Sequence, residues 1–265
     1  MLVELNDEKF KGQFVLKLYD RRFAATMRHY EYAQPWGQEI EQEYREFVDG
    51  GCVRDFLDMV YCECRDDMFF LMDNWHEWSR AKQEAYLWHI LNESYNQEKK
   101  SYAMMEDIQG VHIPRIFARV SLQTDPEDQP DEFLEVRGFL MEHIKGFTLE
   151  YIKEAPRKDW QGICDEAISI VHKVSDYGIC NRQVRPQSFV VRYEDGNYKV
   201  FMLDFGMVRF RMNALEPGKW THWQADEDEE GSIANPMKRM LGDGFEYRPS
   251  KKKLELDAVK GRVWM

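Results

Sequence analysis

The chain has no apolar run approaching the roughly 20 residues of a membrane span, and its first residues lack the apolar core of a signal peptide. A soluble intracellular protein, cytoplasmic or nuclear and with no membrane partner, is the expectation. Basic charge is in short supply: 36 Lys and Arg stand against 48 Asp and Glu, a formal net charge of -12. General nucleic-acid binding draws on a basic face that neutralises phosphates, so no nucleic-acid partner is expected. Cysteine is scarce, five in all, an odd number without framework spacing, which fits a reducing compartment. Cys62-x-Cys64, with Cys52 and His76 nearby, matches no standard zinc spacing, and buried or half-buried thiols are expected instead. An internal repeat and a long low-complexity linker are both missing.

What is present is enough apolar material for a folded core. Of 265 residues 43% are hydrophobic, among them 16 Phe, 13 Tyr and 8 Trp, which argues against disorder and allows one substantial core or two small lobes. Leu2 to Leu5 and Gln13 to Tyr19 read as strands around the turn Asn6 to Gly12, with Lys17 embedded in Phe14-Val15-Leu16-Lys17-Leu18-Tyr19. Helices are expected at Gln38 to Val48, stopped by Gly50-Gly51, and at Ser79 to Ile90, with the pattern continuing from Glu93 through Asp107 to a break at Gln109-Gly110. Glu98 and Tyr102 are four apart and share a face. Trp75, Trp78 and Trp88 are expected to pack in a core.

Phe117 to Leu122 and Glu135 to Met141 read as strands separated by the polar loop Thr124 to Glu132, which contains Pro126 and Pro130. The connector Glu142 to Phe147 leads to Thr148, expected to cap a short helix. Trp160 to Tyr177 carries the helical stripe Ile163, Ala167, Ile170, Val171 and Val174, ending at Gly178. Phe189 to Tyr193 and Tyr198 to Leu203 form a hairpin around Asp195-Gly196. Arg209-Phe210-Arg211 is expected to neutralise the acidic run Asp226 to Glu230, itself read as a solvated surface or a helix start. Lys251, Lys252 and Lys253 are expected in a solvated tail.

The chemistry-bearing stretch is Asn181-Arg182-Gln183-Val184-Arg185-Pro186-Gln187-Ser188, with Leu203-Asp204-Phe205-Gly206 following. Together with Val15-Leu16-Lys17, Glu98 and Leu140-Met141-Glu142-His143-Ile144-Lys145-Gly146, these segments occur in an order that resembles the protein-kinase-like fold, in particular the divergent small kinase-like proteins of fungi. The resemblance implies an α+β, two-lobed fold with a reduced N-lobe at 1–142, a mostly helical insertion at about 24–91, and a shortened C-lobe at 143–265 with a polar tail. It further implies that Lys17 pairs with Glu98 and holds nucleotide phosphates, that Asp204 coordinates magnesium, and that the backbone of Glu142, His143 and Ile144 meets the adenine edge. ATP and Mg²⁺ are the cofactors so implied.

The departures from that family pattern decide the functional expectation. Where small-molecule phosphotransferases of this kind carry His-x-Asp-x-x-x-x-Asn, this chain has Asn181, Gln183 and Ser188. A Gln amide does not titrate near neutral pH, so it cannot act as the general base, and a hydroxyl replaces the second metal-binding amide. Gly12 is the one glycine before Lys17, so a glycine-rich phosphate loop is absent or much reduced, and only 59 residues follow Gly206. The expectation is a pseudokinase: a regulatory or binding module with weak nucleotide affinity and an unidentified protein partner. An active phosphotransferase of unconventional mechanism and a purely structural interaction protein stand as alternatives.

Overall fold

The computed structural model describes residues 1–6, 8–67, 69–123, 131–214, 216 and 218–260. The expected loop with Pro126 and Pro130 falls largely outside them. The chain is mixed α and β, in the order β1 (Leu2–Asn6), β2 (Lys11–Tyr19), α1 (Ala25–Tyr30), α2 (Gln38–Asp49), α3 (Cys52–Asp66), α4 (Phe70–Asn74), α5 (Arg80–Met104), β3 (Ile116–Gln123), β4 (Glu135–Glu142), β5 (Phe147–Thr148), α6 (Trp160–Asp176), β6 (Ile179–Asn181), β7 (Phe189–Glu194), β8 (Asn197–Met202), β9 (Val208–Phe210), α7 (Lys219–Glu227), α8 (Glu229–Leu241) and α9 (Lys251–Lys260). Among the described residues no helix is long and apolar enough to cross a membrane. The chain divides into two compact units, one of residues 1, 16–96 and 118–140, the other of 2–15, 97–117 and 141–265.

In the first unit the strands follow the order β2-β4-β3. They approach closely at Gly138, where a Cβ would lie 2.2 Å from the carbonyl oxygen of Lys17, so any larger residue forces the strands apart. Tyr95 of α5 stacks on Phe139 of β4 at 4.8 Å, and Tyr19 of β2 meets both rings edge-on at 5.6 and 6.1 Å. Helix α2 buries Ile40, Tyr44 and Val48, four residues apart, and α3 answers with Val53, Phe56 and Val60. Gly51 takes the left-handed conformation (φ 68°) that turns one helix into the next, as expected of the Gly50-Gly51 pair. Trp75 and Trp78 join this core, while Trp88 is half-buried with its ring 4.7 Å from Phe133.

The thiols meet the expectation in part: Cys164 and Cys180 are buried. Cys52 and Cys62 are exposed, because they fall off the Val53, Phe56, Val60 stripe of α3, and Cys64 is half-buried. No group of three His, Cys, Asp or Glu side chains able to hold a metal occurs among the described residues.

A buried charge cluster ties this unit together. Glu84 of α5 is 2% exposed and accepts from Arg21 at 2.6 Å and from Arg28 at 2.7 Å. Arg21 also reaches Glu41 of α2 at 2.5 Å and lies 3.9 Å over the ring of Tyr44, whose hydroxyl donates to the carbonyl of Phe133 at 2.9 Å. The segment after β2, α2 and α5 are thus held by one set of desolvated charges that compensate one another.

In the second unit β1 pairs antiparallel with the start of β2, from Leu2 opposite Val15 to Asn6 opposite Lys11. Helix α6 buries the expected stripe and packs on β8 and α8. The hairpin of β7 and β8 turns at Asp195 and Gly196, both at positive φ (53° and 82°), the conformation that an Asp-Gly pair supplies. Strand β5 lies against β7 so closely at Gly146 that a Cβ would sit 2.0 Å from the carbonyl oxygen of Val191.

Three sequence expectations change in this unit. Thr148 makes no side-chain cap; its hydroxyl donates to Glu150 at 3.1 Å, ahead of a 3-10 stretch, Leu149–Glu154. Glu229 and Glu230 are buried, 6% and 4% exposed, because they open α8 directly against α6, although Asp228 does cap α8 by accepting from the Gly231 N–H. Lys252 and Lys253 lie on α9 and reach Ser175 at 2.7 Å and Asp228 at 3.2 Å, so this run is anchored and not a solvated tail.

Removing the Glu84 carboxylate leaves Arg21 and Arg28 desolvated with no shared anion. Glu84→Ala is therefore expected to cost about 3–5 kcal/mol in urea unfolding; a loss below about 1 kcal/mol would contradict the role given to this cluster.

Candidate functional site

The site grows from the end of α6. Gly178 (φ 74°) stops the helix, and the chain enters β6, which pairs with β9 so that Asn181 faces Val208. Asn181 is 1% exposed, and its backbone N–H and both atoms of its side-chain amide are engaged in different directions. Its backbone N–H donates to Glu229 Oε1 at 2.8 Å, its side-chain Nδ2 donates to the carbonyl of Asp204 at 2.8 Å, and its Oδ1 accepts from the Gln183 N–H at 2.9 Å. The short Asn side chain suits this last bond, which bends the loop locally.

Ser188 closes the loop from its other end. Its hydroxyl donates to the carbonyl of Gln183 at 3.1 Å, and its own carbonyl accepts from Leu203 N–H at 2.7 Å, one residue before Asp204. Ser188 is buried at 5%, whereas Gln183 is exposed. The two positions where a base and a metal-binding amide were sought thus hold an exposed neutral amide and a hydroxyl used to shape the loop.

Asp204 adopts a left-handed conformation (φ 65°), unusual for a residue with a Cβ, and its carbonyl is fixed by Asn181. The next residue, Phe205, is fully buried and meets the ring of Tyr102 edge-on at 5.6 Å. Tyr102 is 2% exposed, and its phenol is driven well above its ordinary range, first by burial and then by the carboxylates of Glu98, Asp204 and Glu142. Among the described residues its hydroxyl has no hydrogen-bond partner. Glu98 itself is fully buried. One buried phenol therefore stands amid three of the acids singled out in the sequence.

The connector residues are also placed. Glu142 N–H donates to the Arg115 carbonyl at 2.8 Å, and its carboxylate accepts from Arg115 N–H at 3.2 Å and lies 3.4 Å from Arg192. Ile144 is buried, and His143 is half-buried with its Nδ1 unpartnered among the described residues. Lys17 belongs to the other unit, where its ammonium lies 5.4 Å from the ring of Tyr19. Asp176, the nearest carboxylate before the loop, ends α6 and lines a separate cavity with His112, Lys173 and Tyr177.

Sequence reasoning missed Glu229. Burial raises its carboxyl to about 7, with hydrogen bonds from Asn181 and Cys180 acting the other way. The available signal was Asp228-Glu229-Glu230 standing directly before the apolar Ile233, Ala234 and Met237 of α8, a helix-start pattern. Arg209 was placed correctly: it approaches Glu227 of the acidic run at 3.4 Å, and Arg182 approaches the same oxygen at 3.5 Å.

Asn181→Ala leaves the Asp204 carbonyl and the Gln183 N–H without their partners, so a loss of about 2–5 kcal/mol is expected in equilibrium unfolding. The Glu229 carboxyl binds its proton more tightly folded than unfolded. Its contribution is most favourable at acid pH and is lost as pH rises from the ordinary carboxylate range through about 7. Glu229→Gln should remove that component, flattening the unfolding midpoint against pH between about 4.5 and 8; an unchanged profile would contradict this role.

No protein-family model matches the chain, and no curated protein matches it. Among solved structures it is similar to WaaP in complex with acyl carrier protein, at 13% identity and a TM-score of 0.37, over 63% of this chain and 73% of that one. That likeness is too distant to carry an argument about fold or function.

Proposed function

We propose that the chain is a catalytically impaired kinase-like protein, a regulatory or binding module with weak affinity for Mg²⁺-ATP and a protein partner. The observation that carries this reading is the use made of the loop: Asn181 and Ser188 spend their side chains on Asp204, Gln183 and the loop itself, and Gln183 offers no titratable group. A general base contributes about 10²–10⁴-fold to a proton-transfer step, so its loss leaves a site able to bind far better than to turn over.

In this reading Asp204 supplies the carboxylate for magnesium. With no three-residue metal cage among the described residues, the metal would arrive with phosphate oxygens and water completing its shell, the usual mode for this cation. Lys17 and Glu98 are each proposed for the phosphate side and Glu142 to Ile144 for the adenine edge, all of them on the strength of the sequence motifs. The complete burial of Glu98 also favours a second reading, in which these residues brace a scaffold that binds protein and no nucleotide.

Thermal unfolding with saturating Mg²⁺-ATP separates the two. Ligand at 100 times its dissociation constant adds about 2.7 kcal/mol, which raises the midpoint by roughly 5–10 °C in a chain of this size. The proposal expects a shift that Asp204→Ala and Lys17→Ala reduce by at least about half. No shift at millimolar ATP would overturn nucleotide binding and leave the scaffold reading.

A further inference from the structure

Ser250 stands where an extended stretch enters α9. Residues 245–250 form neither helix nor strand, and Glu246, Arg248 and Pro249 are exposed. Arg248 precedes the serine by two positions, and Lys251, Lys252 and Lys253 follow it. The Ser250 hydroxyl donates to Glu230 Oε2 at 2.5 Å and accepts from the Lys253 N–H at 3.0 Å, while the Ser250 N–H donates to Glu230 Oε1 at 2.9 Å. One hydroxyl therefore caps α9 and fastens it to α8 through a buried carboxylate.

Glu230 is already crowded with donors. Tyr247 donates to Oε1 at 3.0 Å, and His172 Nε2 lies 2.9 Å from Oε2. A cavity of about 540 Å³ opens beside it, lined also by Asp165, Glu246 and Arg248. The rest of the α9 anchorage is cationic: Lys252 to Ser175 at 2.7 Å, Lys253 to Asp228 at 3.2 Å, and Lys260 to the Ala225 carbonyl of α7 at 3.4 Å.

We propose that Ser250 is a phosphorylation site, modified by a protein kinase that accepts an extended segment with basic residues on both sides, and that modification releases α9 from α7 and α8. Ser250 Oγ attacks the γ-phosphorus of ATP; the new O–P bond forms as the bridging bond to ADP breaks, and the hydroxyl proton leaves to the modifying enzyme's base. The product carries nearly two negative charges and has no proton to donate to Glu230. Of the charged groups around the cavity, Asp165, Glu230 and Glu246 repel it, whereas Arg248 attracts it and the His172 ring also faces the cavity. The nearest cations on its own helix are Lys252 and Lys253. A phosphate at the N-terminus of α9 favours that helix internally but draws both lysines from Ser175 and Asp228. The docking is lost while the local helical bias is kept.

The test incubates the full chain with Mg²⁺-ATP and a serine/threonine kinase of basic-sequence preference, then maps phosphate by mass spectrometry and follows amide hydrogen exchange. The expected result is phosphate on Ser250 and exchange across residues 251–260 accelerated about 10- to 100-fold, with α6 and the β7–β8 hairpin unchanged. Ser250→Ala should take no phosphate in this segment and show a smaller acceleration, since it loses the hydroxyl without gaining the charge. Absence of phosphate on Ser250, or stoichiometric phosphate there with unaltered exchange of α9, would overturn the proposal. Neither readout involves nucleotide binding by this chain.

Discussion

The three hydrogen bonds of Asn181 set the geometry of everything around the candidate site. A residue 1% exposed, at the junction of α6 and β6, holds the Asp204 carbonyl with its amide nitrogen, the loop with its amide oxygen and Glu229 with its backbone. Asp204 could not be expected to rest at φ 65° without such restraint, since a side chain in that region costs of order 1 kcal/mol or more. The same restraint brings Phe205 against Tyr102, whose phenol stands near the carboxylates of Glu98, on the same helix, and of Glu142. A loop built this way is rigid by construction, and its polar groups are committed to structure.

Both units use buried charge, in different ways. Around Glu84 the charges cancel: two guanidiniums share one carboxylate, and Arg21 passes the surplus to Glu41. At the start of α8 the two acids diverge. Glu229 is buried with little compensation and is pushed to about 7, while Glu230, ringed by Ser250, Tyr247 and His172, is held at about 2. Adjacent residues of one sequence run thus carry opposite responses to pH. The first loses its favourable contribution as pH rises toward 7, the second as pH falls toward 2.

The periodic parts of the fold were legible in the sequence. The α6 stripe, the Asp195-Gly196 hairpin, the Gly50-Gly51 junction and the long helix bearing Glu98 and Tyr102 each follow from local pattern and backbone chemistry. The order of the candidate residues was legible too, and the structure brings Asn181, Gln183, Ser188 and Asp204 into one loop system. Burial of charge was not legible. Glu229, Glu230 and Lys253 look like surface residues because composition records their charge and not the groups that meet it; Asn181, Ser250 and Asp228, which do so, lie 20 to 48 positions away. Cys52 and Cys62 fail in the opposite sense, as apolar-leaning thiols on the solvent side of an amphipathic helix.

The central claim is that the loop's polar groups hold Asp204 in place and supply no proton acceptor for transfer. The missing base removes about 10²–10⁴-fold, and the reduced glycine-rich loop and the hydroxyl of Ser188 in place of a metal-binding amide remove the positioning and charge stabilisation on which phosphoryl transfer mainly rests. The most direct measurement is release of labelled phosphate from γ-labelled ATP with Mg²⁺ over hours, run beside Asp204→Ala. The account predicts no release above that of the variant. Release by the wild-type chain that Asp204→Ala abolishes would contradict it, and would require a proton acceptor other than Gln183.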